Sequence, residues 1–240
     1  MQENIKGIVL NVRKYNDRQT IVTMFTPSHG RISFISASGT GKSSNARRAK
    51  LQLLAVLETE INFKPGVELQ SLGAVSFKNV WNDIYFHPRK IVQTIFLAEF
   101  LNRILNASMP DESLWEFIYE SLMLLDSMHD GILNFHISFL VSLLPYMGIQ
   151  PDVSGYSPEK VFDYVSGAFV WPSEARGVHL KGEEARAVLW VKRINFYNTR
   201  KLRLTHDQRR KLLSHILSYY SHHYPGIESM KSAELLQELN

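Results

Sequence analysis

No cysteine occurs among the 240 residues. Its absence excludes a disulfide framework, a thiolate metal site and a cysteine nucleophile together, and it is compatible with a reducing cytoplasm. No run of about 18 apolar residues occurs, so no membrane-spanning helix is expected. The opening stretch MQENIKGIVLNVRKYND lacks the long apolar core of a secretory leader, and none is expected. Signatures of catalysis are missing as well. Neither a Gly-x-Ser-x-Gly elbow nor a His-Glu-x-x-His pair is present, and the acidic residues show no isolated apolar pairing suited to acid–base work. Nine histidines are present, but His215, His222 and His223 have no acidic or histidine partner at a metal-ligand spacing. The chain is therefore expected to hold no metal and no cofactor, and not to be an enzyme.

What is present is ordinary in amount and uneven in placement. Apolar residues make up 45%, aromatics 11% and charged residues 21%, as in globular chains long enough to bury a sizeable core. The net charge of +4 hides an asymmetry. Residues 1–80 carry 11 Lys/Arg against 5 Asp/Glu, a balance of +6, whereas residues 81–240 carry 16 against 18, a balance of −2. A basic surplus confined to one third of the chain points to a polyanionic partner.

The hydrophobic pattern changes period near residue 80. Segments 5–12 and 21–26 are rich in β-branched residues, and 30–37 alternates Ile32, Phe34 and Ile35 with small polar residues. Pro27-Ser-His-Gly30 marks a hairpin turn between the second and third of these. Leu51, Leu53, Leu57, Ile61 and Phe63 fall on odd positions, which predicts one long strand over 51–63, and a fifth follows over 68–77. Five short strands with a long third loop fit a small barrel of the oligonucleotide-binding (OB) type, another small barrel or a sandwich being the alternative. Helical spacing begins at Pro88, with Ile91, Ile95, Ala98, Leu101 and Leu105 in phase, and Asp111 is the expected N-cap of a helix over 112–128. Residues 132–147 are apolar almost all round and predict a helix buried at the centre of a bundle. Punctuation by Gly and Pro over 150–180 predicts an inserted hairpin, 162–165 with 168–171. Helices are expected again over 181–194, 205–224 and 231–239. The expected fold is thus α+β: a domain over 1–80 formed by a five-stranded OB-type barrel, then a mostly helical domain over 81–240.

The stretch SASGTGKSSNARRAK over 36–50 spells part of a phosphate-binding P-loop. Gly41-Lys42-Ser43 is present, but Ser36 stands where the motif requires its first glycine. The residues after Ser43 lead into two-residue alternation instead of a helix, and no βαβ alternation exists to build a parallel sheet. The alternative functional reading is a Gly/Ser-rich basic loop lying along phosphates through Lys42, Arg47, Arg48 and Lys50; an ordinary solvated loop is the bland one. A second basic cluster runs over 192–211, with Lys192, Arg193, Arg200, Lys201, Arg203, Arg209, Arg210 and Lys211 against Asp207 alone. Phe196 and Tyr197 lie inside it, a mixture suited to backbone contacts plus stacking, although the solvated face of two helices would look the same.

Several segments taken in order resemble one family. Lys6-Gly-Ile-Val-Leu10, Tyr15, Ile21-Val-Thr-Met-Phe-Thr26 and His29-Gly-Arg31 are similar to the opening of the RecO recombination mediators. A basic glycine-containing loop, Leu51-Gln-Leu-Leu54, and the closing Tyr219-Tyr-Ser-His-His-Tyr-Pro-Gly226 with Lys231-Ser232 continue the likeness along the whole chain. The resemblance implies an OB fold followed by a helical domain, without bond-breaking catalysis. It implies binding to single- and double-stranded DNA, annealing of complementary strands, and cooperation with RecR, the single-stranded-DNA-binding protein and, indirectly, RecA. It further implies a bacterial, cytoplasmic, nucleoid-associated protein with no membrane partner. One departure is fixed by composition. Many members carry a four-cysteine zinc site after the buried helix, where this chain has Pro151-Asp-Val-Ser-Gly-Tyr-Ser157, so its hairpin must be held by packing, with Phe162, Tyr164, Phe169 and Trp171 expected to supply it.

The residues expected to contact DNA are Lys6, Arg13, Lys14, Arg31, Lys42, Arg47, Arg48 and Lys50, with Arg200, Lys201 and Arg203 in the helical part. A partner-binding scaffold acting through the helices is the rival reading, and an NTPase using Lys42 and Ser43 a remote one. No ATP turnover is expected from the purified chain; turnover abolished by Lys42→Ala would restore the P-loop.

Overall fold

The computed structural model describes residues 2–37, 46, 49–105 and 110–239. It contains two compact units, Met1–Met128 with Met230–Leu239 and His129–Ser229. The first unit is built on a six-stranded sheet. Its strands are β1 (Gln2–Asn16), β2 (Gln19–Thr26), β3 (Gly30–Ala37), β4 (Val56–Asn62), β5 (Leu69–Ser71) and β6 (Val75–Asn79), hydrogen-bonded in the order β5-β3-β2-β1-β4-β6. Neighbours are antiparallel except β3 and β5, which run parallel.

Alternation along the strands explains why this sheet forms. Ile5, Val9, Val22, Met24, Phe34, Leu57 and Ile61 share one face and close a core with Leu51, Ala55, Leu72 and Val75. Ile8, Leu10, Ile21 and Phe25 are buried as well. A bulge between Val9 and Asn11 shifts the β1–β2 register, so that Val9 and Val12 both contribute to the same core three positions apart. Helix α1 (Pro88–Ile104) packs on β1 and α2 (Glu112–Ser127) on β2, so the sheet carries helices as well as its own core.

The expected closed five-stranded barrel is corrected in two places. The last predicted strand is split into β5, which pairs with β3, and β6, which pairs with β4, and no ladder joins them among the described residues. The break falls where Gly73 crosses β4 so closely that a Cβ would stand 2.2 Å from the Glu60 carbonyl oxygen. A backbone that close to its neighbour cannot continue a regular ladder. The predicted strand over 51–63 also begins late, at Val56. Leu54 adopts φ 59°, a left-handed conformation that no strand accommodates, and it buries its side chain completely.

A buried ionic knot ties the sheet to its helices. Lys90, with no solvent exposure, meets Asp83 Oδ2 at 2.7 Å and donates to the Asp126 carbonyl at 2.8 Å. The Asp126 carboxylate accepts from the backbone N–H groups of Asn82, Asp83 and Ile84 at 2.8–3.0 Å. Trp81 Nε1 and the Tyr85 hydroxyl donate to the carbonyls of Leu54 and Leu53. At the chain's far end α6 (Lys231–Leu239) returns to α1, where the Ser232 N–H donates to Glu99 at 2.9 Å.

The second unit packs α3 (Phe135–Leu143), α4 (Gly182–Ala187) and α5 (His206–His223) with a small sheet ordered β8 (Ala168–Val170), β7 (Val161–Asp163), β9 (His179–Leu180). Helix α3 is buried on every side except at Ser142, as its largely apolar sequence requires, and His136 and Ser138 are buried with it. Thr205 and Gln208 form a reciprocal capping box at the start of α5. The β7–β8 turn needs Gly167, whose φ is +64° and whose missing Cβ leaves room for the Tyr219 hydroxyl. Asp163 fastens this turn by accepting from the Ser166 and Arg176 backbone N–H groups. Burial would raise its pKa, but these hydrogen bonds outweigh it and hold the carboxyl below its ordinary value. Of the four aromatics expected to hold the hairpin, Phe162, Tyr164 and Phe169 are buried against one another and Tyr219. Trp171 is corrected: it is half-exposed, with the Lys160 ammonium 5.7 Å over its ring.

Two tests follow. Asp83→Ala leaves the fully buried Lys90 ammonium without its carboxylate and should destabilise the first unit by about 3–5 kcal/mol in denaturant unfolding. In the second unit, burial, aided by the Arg209 charge, pushes the pKa of His136 down to about 3. An unfolded chain gains a proton here below about pH 6.5 that the folded one refuses. Stability should therefore be complete above that pH and decline as pH falls toward 3, with a shallower decline in His136→Gln, measured by thermal unfolding across that range.

Candidate nucleic-acid interface

Three exposed basic residues of the first unit, Arg13, Lys14 and Arg18, gather at one end of its sheet, while Lys64, Lys78, Arg89 and Lys231 are exposed elsewhere. β1 and β2 extend past their predicted limits to a two-residue turn, Asp17-Arg18. Asn16 shapes that turn by accepting the Arg18 N–H at 2.9 Å and by donating to the Gln19 side chain. Arg13, Lys14, Tyr15 and Arg18 are all exposed along it, with Lys14 paired to Asp17. Gln19 pairs with Asn16 on one side and Ala37 on the other, so the end of β3 lies beside this tip. The chain enters residues 38–45 there. Lys42, Arg47 and Arg48 lie outside the described residues.

Other expected contacts fall elsewhere. Lys6 is in β1 opposite Glu58, with its ammonium 4.4 Å from the Trp115 ring and 3.6 Å from Glu112. It joins the sheet to the start of α2. Arg31, opposite Phe25 on β3, is half-buried, and its Nε is buried without a hydrogen-bond partner among the described residues. Lys50 donates to the Val75 carbonyl at 2.9 Å and lies 6.0 Å from the Phe77 ring. Ser36, where a P-loop would begin, is in β3 opposite Thr20; residues 46, 49 and 50 are helical, a correction to the expectation that no helix follows Ser43, and β4 intervenes before the parallel partner β5.

Arg200, Lys201 and Arg203 belong to the second unit and are exposed. Their segment is anchored from beneath. Thr199, fully buried, donates to the Ser138 hydroxyl at 2.7 Å, and Asn134 donates to the carbonyls of Thr199 and Leu202. Arg209, read in the sequence as part of a basic surface, is corrected: it is buried and donates to Asn134 Oδ1 and the Leu204 carbonyl. Phe196 is corrected likewise, since it stacks on Phe135 with 5.5 Å between ring centres. The second unit also holds an apolar cleft lined by Val141, Leu144, Phe162, Leu180, Val188 and Ile216, with Glu184 and His215 at hand.

Reading the sequence missed Arg18, and the signal was there: Asn16 followed by a short polar pair between two β-branched segments is hairpin chemistry. No group of three or more His, Asp or Glu arranged to hold a metal occurs among the described residues, and no helix among them is long and apolar enough to cross a membrane.

A helix-backed sheet with a basic, exposed end, joined in one chain to a helical unit with a small hairpin, defines an α+β class of protein. Comparison with known proteins gives the family. Residues 1–80 match the model described as "Recombination protein O N terminal", and residues 88–233 match "Recombination protein O C terminal". The chain is 30% identical over 241 residues to the DNA repair protein RecO of Bacteroides fragilis, covering 100% of this chain and 99% of that one. It is 30% identical to that of Flavobacterium psychrophilum, covering 100% and 99%, and 30% identical to that of Porphyromonas gingivalis, covering 98% and 97%. The chain belongs to the RecO family.

Proposed function

We propose that this protein is a DNA-binding recombination mediator that holds single-stranded DNA by its phosphates, promotes annealing of complementary strands and assists RecA loading during repair. The observation that carries the reading is the basic end of the sheet. Arg13, Lys14 and Arg18 are exposed there within one hairpin, and the segment bearing Lys42, Arg47 and Arg48 departs from the adjacent strand end. Arg13, Lys14 and Arg18, set within six residues of one hairpin, add to one positive field. Tyr15, exposed in the same hairpin, offers a ring face to an unpaired base. The sheet serves as an OB-type platform in this reading, with phosphate contacts that carry no sequence preference. Lys6 contributes to it through packing against Trp115, and Lys50 through its tie to β6. Annealing follows when cations hold two strands close and neutralise their repulsion.

A second activity rests on the apolar cleft of the second unit. Its lining suits an apolar side chain from a protein partner, while Lys211 and His215 nearby face Glu184. RecR and the acidic tail of the single-stranded-DNA-binding protein are the partners this reading assigns to the chain.

Phosphate contacts release counterions, so affinity for single-stranded DNA should fall steeply with salt. Replacing Arg13, Lys14 and Arg18 together by Ala should lower the slope of log affinity against log salt by about 2 and weaken different sequences equally. Fluorescence anisotropy across a salt series measures both. An unchanged slope would remove the hairpin from the interface.

A further inference from the structure

A basic stretch without acidic residues lies in the second unit. Between Glu184 and Asp207 there is no acidic residue, while Arg186, Lys192, Arg193, Arg200, Lys201 and Arg203 all occur. Every one of them is exposed, and none makes an ion pair among the described residues. Two large aromatics are exposed in the same stretch. Trp190 is 58% exposed and Tyr197 93%, the latter the most exposed large hydrophobic side chain among the described residues. A tyrosine left almost wholly in water contributes nothing to a core.

The local build explains how both kinds of side chain are held outward. Two consecutive 3-10 turns, Val188–Arg193 and Phe196–Lys201, carry the stretch. Val188, Ile194 and Thr199 are buried and Phe196 stacks on Phe135, so each turn is pinned from one side. The Asn195 side chain caps the second turn by accepting the Asn198 N–H, and the Asn198 side chain donates to the Arg193 carbonyl, which ties the turns together. Arg193 lies over the Trp190 ring with its guanidinium carbon 4.9 Å from the ring centre. A base stacking on Trp190 takes the face opposite Arg193, with the guanidinium's charge across the ring.

We propose that this stretch is a second single-stranded nucleic-acid site, separate from the hairpin of the first unit, in which Trp190 and Tyr197 stack on unpaired bases while Arg193, Arg200, Lys201 and Arg203 take the phosphates. The partner is a flexible single strand. Bases stacked on exposed rings must be free of their complement, and a surface of this charge suits a backbone of one charge per nucleotide. The proposal extends the reading of the protein as a DNA binder by giving the second unit a contact with the bases.

The test uses the full chain in four forms: the parent, Trp190→Ala/Tyr197→Ala, Trp190→Phe/Tyr197→Phe, and the hairpin variant Arg13→Ala/Lys14→Ala/Arg18→Ala. Each is titrated with a short oligothymidine strand and with an abasic strand of equal length. The double alanine variant is expected to bind oligothymidine about tenfold more weakly, with thermal stability unchanged, while its affinity for the abasic strand matches the parent. The double phenylalanine variant should recover most of the loss. Oligothymidine should also quench tryptophan emission in a Trp171→Phe background, where Trp190 is the exposed reporter. Oligothymidine affinity within twofold of the parent in the double alanine variant would overturn the second site. An equal loss on both strands would also overturn it, because the rings would then act without bases. Retained DNA binding with loss of a protein partner would reassign the surface to protein contact. The hairpin variant reports on the first unit alone: if it loses affinity while the aromatic variant does not, only the second site fails. If the parent binds neither strand, both readings fall.

Discussion

A lysine with no access to water must find its counter-charge inside the protein, and Lys90 finds it in Asp83 and the Asp126 carbonyl. The knot forces the connection after β6 to turn at one place. Three successive backbone N–H groups, from Asn82, Asp83 and Ile84, converge on the Asp126 carboxylate near the end of α2. Trp81 and Tyr85 bond back to Leu54 and Leu53 from the same connection. Sheet, α1 and α2 therefore meet at one desolvated ionic centre, and breaking it leaves buried charge behind. Arg13, Lys14 and Arg18 stay exposed at the hairpin tip, as do Lys64, Lys78 and Arg89 outside it.

Charge alone is thus a poor guide to contact. Lys6 and Arg13 are seven residues apart on one strand, yet one is held against Trp115 and Glu112 while the other is exposed. Arg209 and Arg210 are adjacent in sequence, and only Arg210 faces water. The difference in each pair comes from which neighbours the fold supplies. The same logic separates Phe196 from Tyr197, where one ring fills a gap beside Phe135 and the next is left outside.

Much of the architecture was legible beforehand. β-Branched enrichment marked the first two strands and alternation the third, Asp111 marked the start of α2, and the largely apolar run over 132–147 marked α3 as buried. Periodicity failed where geometry overrode it. Leu51, Leu53 and Leu57 share parity, but the left-handed turn at Leu54 breaks the strand they suggest. The last strand is divided at Gly73 because of a contact with Glu60 that lies outside any local window. The basic residues of the site were equally visible, but their grouping was not. Arg18 joins Arg13 and Lys14 only because β1 and β2 run on to the turn at Asp17.

From residues alone came the α+β class, the concentration of positive charge in the first 80 residues, the exclusion of cysteine chemistry and the likeness to the RecO family. These follow from composition, period and order along the chain, which no later packing can alter. Only the tertiary structure decided which cations remain free, how α6 comes back to α1, and why the sheet's ladder is left open. Those outcomes depend on contacts between residues far apart in sequence, such as Glu99 with Ser232 and Asn134 with Arg209. Such contacts form only where burial outweighs the entropy of bringing distant segments together.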